Sequence, residues 1–191
     1  MLTAIVATHE SERTLVRTLA ALVPGATAGL VAEAIVADAG SRDATAEVAD
    51  LAGCRFMNSA APLGARLREA AALARAPWLL FLRAGMVPEP GWVAAVDRFI
   101  AAADMREAHR AAVFRPPAIG DLLRPGLREM CEMVRVALGG GARPDQGLLI
   151  SRRHYDALGG HPDARDSEAA LLRKLGRRRI AMLSAGAASP G

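Results

Sequence analysis

Residues 78–92 read WLLFLRAGMVPEPGW, and this stretch decides the fold. Its first five residues, Trp78 to Leu82, form the most hydrophobic strand-like run of the chain and lead into a turn that contains Gly and Pro. Such a run between turn signals predicts a buried strand. The flanking sequences predict helices at 63–75 and 91–103, so the strand is expected to lie between two helices of an α/β unit.

The same alternation continues in both directions along the chain. Further predicted strands cover 3–7, 34–37, 54–58, 111–114 and 148–150. Further predicted helices cover 12–22, 42–52, 121–138, 152–158 and 171–175, and Ser41 is expected to cap the one that begins at Arg42. Regular alternation of this kind predicts an α/β fold in which helices flank a mostly parallel sheet.

Length and composition narrow the classes of protein. The chain of 191 residues is the size of one domain, with 52% hydrophobic residues and a net charge of +4. Aromatic content is 4%, and no nucleic-acid-binding motif is present, so we expect no nucleic-acid partner. The longest uncharged apolar run, Ala76 to Leu82, is too short for a transmembrane segment. With no leader pattern at the N-terminus, a soluble cytoplasmic protein is expected.

Polar residues follow the predicted strands at the points where they end. Thr8-His9-Glu10 follows the first strand, Asp38 the second and Arg83 the strand at 78–82. Parallel α/β sheets bind ligands at the carboxyl ends of their strands, so these residues are candidates for a binding site. Neither a GxGxxG fingerprint nor a Walker phosphate loop is present, which argues against common dinucleotide and P-loop chemistry.

Four segments together resemble the family 2 inverting glycosyltransferases of the GT-A fold. They are IVATHESERTLVRTLAAL (5–22), IVADAGSRDATAEVA (35–49), GARLREAAALARAPWLLFLRAG (64–85) and PDQGLLISRRHYDALGGHPDARDSEAALLRKL (144–175). Their order and spacing cover essentially the whole chain. The resemblance implies a single GT-A domain over 1–191, with a nucleotide-diphosphate sugar bound by 1–100 and an acceptor bound by 101–191.

The resemblance also implies roles for individual residues. Thr8 and Glu10 match positions that frame the nucleobase and ribose, and Asp38 matches an acid that contacts the nucleoside. Physical chemistry is consistent with this, because a carboxylate at a strand end accepts hydrogen bonds from ribose hydroxyls. The alternative is structural: Asp38 and Ser41 cap the following helix, with Asp43 in its first turn.

Inverting transfer needs a base to deprotonate the acceptor, and two acids are candidates for it. Counting back from the helix at 171–175, the family's acidic pair falls at Ser167-Glu168. Glu168 is therefore the first candidate, and Asp166 is the second if the preceding turn is one residue out of register. The alternative is that both acids cap a helix or interact with its dipole.

The family's metal-binding position differs in this chain. Relatives carry acids after this strand that bind Mg²⁺ or Mn²⁺, whereas Arg83-Ala84-Gly85-Met86 offers no side-chain oxygen. One interpretation is that Arg83 replaces the cation and binds the diphosphate, with help from Arg66 or Arg68. A second is that catalysis is lost, which leaves a nucleotide- or partner-binding module. A third is that Arg83 is an exposed side chain without a ligand.

The acceptor side carries weaker signals. Asp145 and Gln146 match a family segment near the acceptor and could bind a sugar hydroxyl, or could simply form a turn. A glycan, a lipid phosphate or a small metabolite all remain possible acceptors. His154 is expected at the surface. The amphipathic helix predicted at 121–138 could form a homodimer interface or contact lipid, although such a helix is more often part of a core.

Overall fold

The computed structural model describes residues 1–105, 110–116 and 142–188. The predicted helix at 121–138 lies outside these ranges, and so does the homodimer or lipid contact inferred from it. Within the described ranges, none of the helices combines the length and apolar character needed to span a bilayer.

Strands and helices alternate in the described part of the chain. The strands are β1 (Leu2–Thr8), β2 (Val31–Asp38), β3 (Arg55–Asn58), β4 (Trp78–Arg83), β5 (Val87–Pro88), β6 (Ala111–Arg115), β7 (Leu148–Ser151) and β8 (Ile180–Ala188). The helices are α1 (Glu12–Thr27), α2 (Thr45–Leu51), α3 (Leu63–Leu73), α4 (Trp92–Met105), α5 (Arg152–Ala157) and α6 (Ser167–Leu175). Short 3-10 turns cover Pro144–Gln146 and Arg177–Arg179.

The strands form one mixed sheet in the order β3-β2-β1-β4-β7-β6-β8-β5. Strands β1, β2, β3 and β4 pair in parallel, as do β6 and β8, whereas β7 is antiparallel to both of its neighbours. The α/β fold with a mostly parallel sheet is therefore confirmed.

Strand direction gives the sheet two distinct edges. At the carboxyl edge, β1, β2, β3, β4, β6 and β8 end and β7 begins, whereas at the amino edge these six strands begin and β7 ends. Each helix that leads into a parallel strand runs back across the sheet, so it ends at the amino edge. Residues that follow a strand and residues that follow such a helix are thus held at opposite ends of the molecule.

Helices cover both faces of the sheet, because alternate side chains of each central strand point to opposite faces. One core contains Val6 and Leu80 with residues of α1, α2 and α4. The other contains Ile5, Leu79 and Phe81 with residues of α3, α5 and α6. Burial on both sides explains why β4 is apolar at nearly every position.

Three details differ from the sequence-based expectations. Helix α2 begins at Thr45 instead of Arg42, because Ser41 uses its hydroxyl to bond Asp38 and does not cap the helix. Strands β5 and β8 were not predicted; β8 has four Ala among its nine residues, has weak strand propensity and is held by pairing with β6. His154 is 2% exposed, so the expected surface position is wrong. Helix α5 has only six residues and turns His154 and Tyr155 together toward the core.

Candidate active site

The loops after β1 and β2 form one hydrogen-bonded network at the carboxyl edge. The Glu10 amide donates to Ser41 Oγ at 2.8 Å, and the Arg42 amide donates to Glu10 Oε1 at 2.8 Å. In the same way, the Glu12 amide donates to Asp43 Oδ2 at 3.0 Å. Glu10 has a φ of 47°, a left-handed conformation rare for residues with a Cβ, and these cross-loop bonds hold it there.

Asp38 lies under this network and is fully buried. Its carboxylate accepts from Thr8 Oγ1 (2.7 Å), Ser41 Oγ (2.6 Å), the Gly40 amide (2.8 Å) and the Ser41 amide (2.7 Å). Burial by itself raises the pKa of Asp38, but the bonds from Ser41, Thr8 and Gly40 outweigh it and hold that pKa below its ordinary value. Four donors occupy the lone pairs of the carboxylate, so Asp38 fixes the conformation of the loop after β2 from its buried side.

Arg66 lies beneath the ends of β1 and β2. Its Nη1 donates to the carbonyl oxygens of Ala37 (2.9 Å) and Thr8 (3.3 Å), and the residue is buried. Burial lowers the pKa of Arg66, while the nearby Asp38 charge raises it. The Arg66 guanidinium therefore joins two strand ends from inside the protein, and Thr8, whose side chain faces Asp38, is part of the same buried unit.

An ion pair between Arg83 and Glu168 lies at the next part of the carboxyl edge, at the end of β4. Arg83, the last residue of β4, donates through Nε to Glu168 Oε1 (3.2 Å) and Oε2 (3.0 Å), and through Nη2 to Oε2. The Arg83 side chain is 48% exposed and that of Glu168 is 14% exposed, so the pair borders solvent. The bond to Glu168 raises the pKa of Arg83 despite partial burial, and Asp145 adds to this effect.

Close packing of α3 brings Glu168 to this position. A Cβ at Gly64 would lie 2.6 Å from the Pro162 carbonyl oxygen and 2.9 Å from Ser167 Cβ, so only glycine permits this approach. Arg68, one turn further along α3, donates to the His161 carbonyl oxygen and to Asp163 Oδ1 (2.6 Å). Arg68 therefore fastens the turn before α6 to α3.

Sequence reasoning proposed two acids for the base, and the structure places them differently. Glu168 lies in the first turn of α6 against Arg83, whereas Asp166 is exposed at the N-cap position and makes no capping hydrogen bond through its side chain. Only Glu168 is brought next to the end of β4.

A divalent cation does not fit the residues at this position. No group of three or more His, Cys, Asp or Glu side chains suited to a metal occurs in the described ranges. The Arg83 guanidinium lies at the end of β4 and already holds the Glu168 carboxylate, and its positive charge would repel a metal ion. The chemistry of the donor set is therefore that of an anion site.

Asp145 and Gln146 border the Arg83–Glu168 pair from the turn before β7. The Gln146 side chain is buried, accepts from the Arg143 amide (2.7 Å) and donates to the Phe114 carbonyl oxygen (2.9 Å). Asp145 pairs with Arg143 at 2.9 Å and contributes to the electrostatic field at Arg83. Gln146 therefore holds the turn to β6, whereas Asp145 lies within electrostatic reach of the ion pair.

Sequence reasoning missed a buried histidine behind the pair. His161 is 1% exposed, and its Nδ1 lies 2.8 Å from the Tyr155 hydroxyl, which also accepts from the His161 amide at 3.2 Å. Burial, with a contribution from Arg68, lowers the pKa of His161 to about 4, so the imidazole is neutral at pH 7. With Glu168 and Phe81 it lines a narrow cavity. Its position in the turn 159–163 was the only signal in the sequence.

An apolar cavity lies away from these polar groups. It has a volume of about 590 Å³ and lies between α1, β2 and α2, with a lining of mostly aliphatic side chains such as Val16, Val23 and Leu51. Because it contains none of the charged groups at the carboxyl edge, we place the candidate active site at the Arg83–Glu168 pair and the adjoining loops.

Comparison with solved structures shows the same fold. M. tuberculosis glucosyl-3-phosphoglycerate synthase in complex with Mg²⁺ and UDP matches with a TM-score of 0.70 and 20% identity, covering 100% of this chain and 72% of that one. The same enzyme with Mn²⁺, UDP and phosphoglyceric acid matches with a TM-score of 0.65 and 21% identity, covering 95% and 67%. S. aureus TarS 1-349 matches with a TM-score of 0.69 and 15% identity, covering 98% and 60%.

At these identities the structural matches establish the GT-A fold alone. No curated protein matches the sequence. The sequence model described as glycosyl transferase family 2 matches residues 3–105, from β1 to the end of α4. This match spans more than half of the chain and includes Asp38 and Arg83. The protein therefore belongs to glycosyl transferase family 2.

Proposed function

We propose that this protein transfers a sugar from a nucleoside-diphosphate donor to an acceptor hydroxyl with inversion, and that Arg83 replaces the metal ion. The observation that best supports this proposal is the ion pair between Arg83 and Glu168 at the end of β4. It puts a permanent cation and a carboxylate side by side at the carboxyl edge, where α/β sheets bind their ligands. The transfer needs a cation to stabilise the departing diphosphate and a carboxylate to act as the base.

The proposed step is a single displacement. The acceptor oxygen attacks the anomeric carbon, the bond from that carbon to the diphosphate oxygen breaks, and the nucleoside diphosphate departs. Glu168 takes the proton of the acceptor hydroxyl as general base. Arg83 binds the diphosphate, with geometry suited to two phosphate oxygens, and stabilises the negative charge that develops on the leaving group.

Donor binding and base activation are coupled in this proposal. Glu168 is held on the Arg83 guanidinium before the donor arrives. A diphosphate competes for the same guanidinium, so its binding releases the Glu168 carboxylate toward the acceptor. The partial exposure of the Arg83 side chain supports this exchange, because a group at the solvent boundary can change partners at modest cost.

The nucleoside is assigned to the loops after β1 and β2. Neighbouring strands lie about 4.8 Å apart, so the backbones of Asp38 and Arg83, two strands apart, are separated by about 10 Å. Glu10 lies on the exposed side of the network and is the candidate for direct contact with the ribose or base. Thr8, Asp38 and Arg66 hold this loop in place from below.

The acceptor is assigned to residues after 100, with Asp145 near the transferred sugar. A glycan, a lipid phosphate and a small metabolite remain the candidate classes. A cytoplasmic location is part of this proposal.

Titration of the full-length protein with nucleotides tests the proposal. UDP, GDP and their sugars are added in the presence of Mn²⁺, Mg²⁺ or EDTA, with thermal shift for binding and released nucleoside diphosphate for turnover. UDP is the first probe, because the structurally similar glucosyl-3-phosphoglycerate synthase structures contain it. We expect binding and slow donor hydrolysis that EDTA does not abolish, and loss of both in Arg83→Ala.

Arg17→Ala, which removes an exposed arginine of α1, is the matched control and should leave both measurements unchanged. Turnover that requires Mn²⁺ or survives Arg83→Ala would overturn the role of Arg83. Binding without any turnover would support the alternative, a nucleotide-binding module on the same fold.

A further inference from the structure

The amino edge of the sheet, opposite the candidate active site, carries a continuous band of basic side chains. Arg75 precedes β4, Arg153 follows β7, Arg110 precedes β6, and Arg177 to Arg179 precede β8. Because β4, β7, β6 and β8 are neighbours in the sheet, these residues form one band about 15 Å wide. All of them are exposed.

Acidic residues neutralise this band only in part. Glu33 pairs with Arg75 at 3.2 Å, and Asp50, Asp104 and Asp156 also lie toward this edge. Among the described residues, none of these acids forms an ion pair with Arg177 to Arg179. The edge therefore keeps an excess of positive charge.

Large hydrophobic side chains are exposed at the same edge. Leu51, Leu73 and Met105 are the last residues of α2, α3 and α4, and each of these helices ends at the amino edge. Leu51 is 88% exposed and Met105 is 83% exposed. Val23, near the end of α1, is exposed as well, and with Leu51 it lines the 590 Å³ apolar cavity.

Exposed apolar residues among arginines match the chemistry of a lipid surface. Basic groups are attracted to anionic headgroups, while the apolar side chains enter the boundary between headgroups and acyl chains. Single-stranded nucleic acid would instead require aromatic stacking platforms, and none of the exposed large hydrophobic residues in the described ranges is aromatic. We propose that the amino edge docks onto the surface of an anionic membrane, with the candidate active site facing away from it.

Vesicle cosedimentation of the full-length protein tests this proposal. One set of vesicles is phosphatidylcholine alone, and the other has roughly one third phosphatidylglycerol to give a negative surface potential. We expect binding to the anionic vesicles only, weakened by added salt. Arg178→Gln with Arg179→Gln should lower the partition coefficient about thirtyfold, since each basic residue near the surface contributes about a fivefold factor.

The matched control is Arg13→Gln with Arg17→Gln, which removes two exposed charges of α1 and should leave the partition coefficient unchanged. A second variant, Leu51→Ser with Met105→Ser, should remove the binding that persists at high salt, because that part depends on apolar insertion. Circular dichroism of each variant verifies folding.

Three results would overturn the proposal: equal binding to neutral and anionic vesicles, an equal loss in the Arg13 and Arg17 control, or binding to single-stranded RNA with none to vesicles. Since no nucleotide or acceptor is used, the outcome is independent of the proposed sugar transfer.

Discussion

The two parts of the carboxyl edge hold their charged groups in different ways. In the loops after β1 and β2, the Asp38 carboxylate is buried and bonded to four donors close to it in the fold. At the end of β4, Arg83 and Glu168 meet across 85 residues of sequence and hold one another at the solvent boundary. The Asp38 carboxylate has all its hydrogen bonds made within the protein, whereas Arg83 holds a carboxylate that a ligand can replace.

This difference separates stability from activity. A buried carboxylate with all its hydrogen bonds made is costly to disturb, because each donor left behind lacks a partner. The Arg83–Glu168 pair contributes less to folding, because solvent screens it on the half-exposed Arg83 side. The first part should therefore govern the free energy of unfolding, and the second should govern turnover.

The largest expected effect is on catalysis. Glu168→Gln should lower kcat about 1,000-fold, because the amide cannot accept the acceptor proton. Asp166→Asn should remain within about twofold of the wild type if Glu168 alone is the base. Initial rates with a donor and acceptor pair measure both variants. A large loss in Asp166→Asn with activity kept in Glu168→Gln would assign the base to the other acid.

The second effect is on stability in the first part. Asp38→Ala should lower the free energy of unfolding by about 3 to 4 kcal/mol. The substitution leaves the hydrogen-bond donors of Thr8, Gly40 and Ser41 without an acceptor. It also leaves the buried Arg66 guanidinium without its counter-charge. Urea denaturation measures it. The control is Asp50→Ala, an exposed acid of α2. Equal small changes in both variants would show that the buried network contributes little.

Acid should destabilise the protein through His161, which lies behind the Arg83–Glu168 pair, before it affects Asp38. The pKa of His161 is lowered from 6.5 to about 4, so between these values the unfolded chain binds a proton that the folded chain does not. Stability is retained above pH 6.5 and falls as the pH drops toward 4, by roughly 3 kcal/mol in all. Asp38 is buried, but its hydrogen bonds keep its pKa below the ordinary value, so its network persists as the pH falls through this range.

Denaturation midpoints as a function of pH test this window. His161→Gln should remove most of the slope between pH 6.5 and 4, whatever its effect at pH 7. An unchanged slope would mean that another group takes up the proton.

The smallest expected effect is on stability at the Arg83–Glu168 pair, and it tests the contrast with the buried Asp38 most directly. Arg83→Met should lower the free energy of unfolding by about 1 to 2 kcal/mol, less than Asp38→Ala, because Arg83 is half exposed while the mostly buried Glu168 carboxylate loses its partner. Urea denaturation, performed beside Asp38→Ala, gives the contrast directly. A loss as large as that of Asp38→Ala would mean that the Arg83–Glu168 pair is a structural element and would contradict its exchange with a ligand.

Much of the fold could be predicted from local patterns. The apolar run at 78–82 and the alternation around it indicated the sheet and its flanking helices, because periodicity records which faces are buried. Strand β8 was missed, since its Ala-rich sequence has weak strand propensity and is held by pairing with β6. The start of α2 was misplaced because Ser41 found a tertiary partner in place of the helix terminus.

The site was less predictable, because its geometry depends on distant pairs. The sequence indicated Arg83 and Glu168 as separate candidates, but their contact depends on the packing of α3 at Gly64. Arg66 and Arg68 were grouped with Arg83 by their proximity along the chain and by charge. In the structure, one bonds carbonyl groups beneath β1 and β2, and the other bonds the turn before α6. The donor and acceptor roles assigned to these residues stay predictions.

The Arg83–Glu168 pair also restricts how this sequence can change over generations. A carboxylate introduced at position 83 alone would face Glu168 with no cation between them, and two like charges in contact disfavour each other's ionised form. An acid at position 83 is therefore disfavoured unless a cation binds between it and Glu168 or position 168 changes as well. The residues tolerated at position 83 therefore depend on the residue at position 168, and we expect the two positions to vary together.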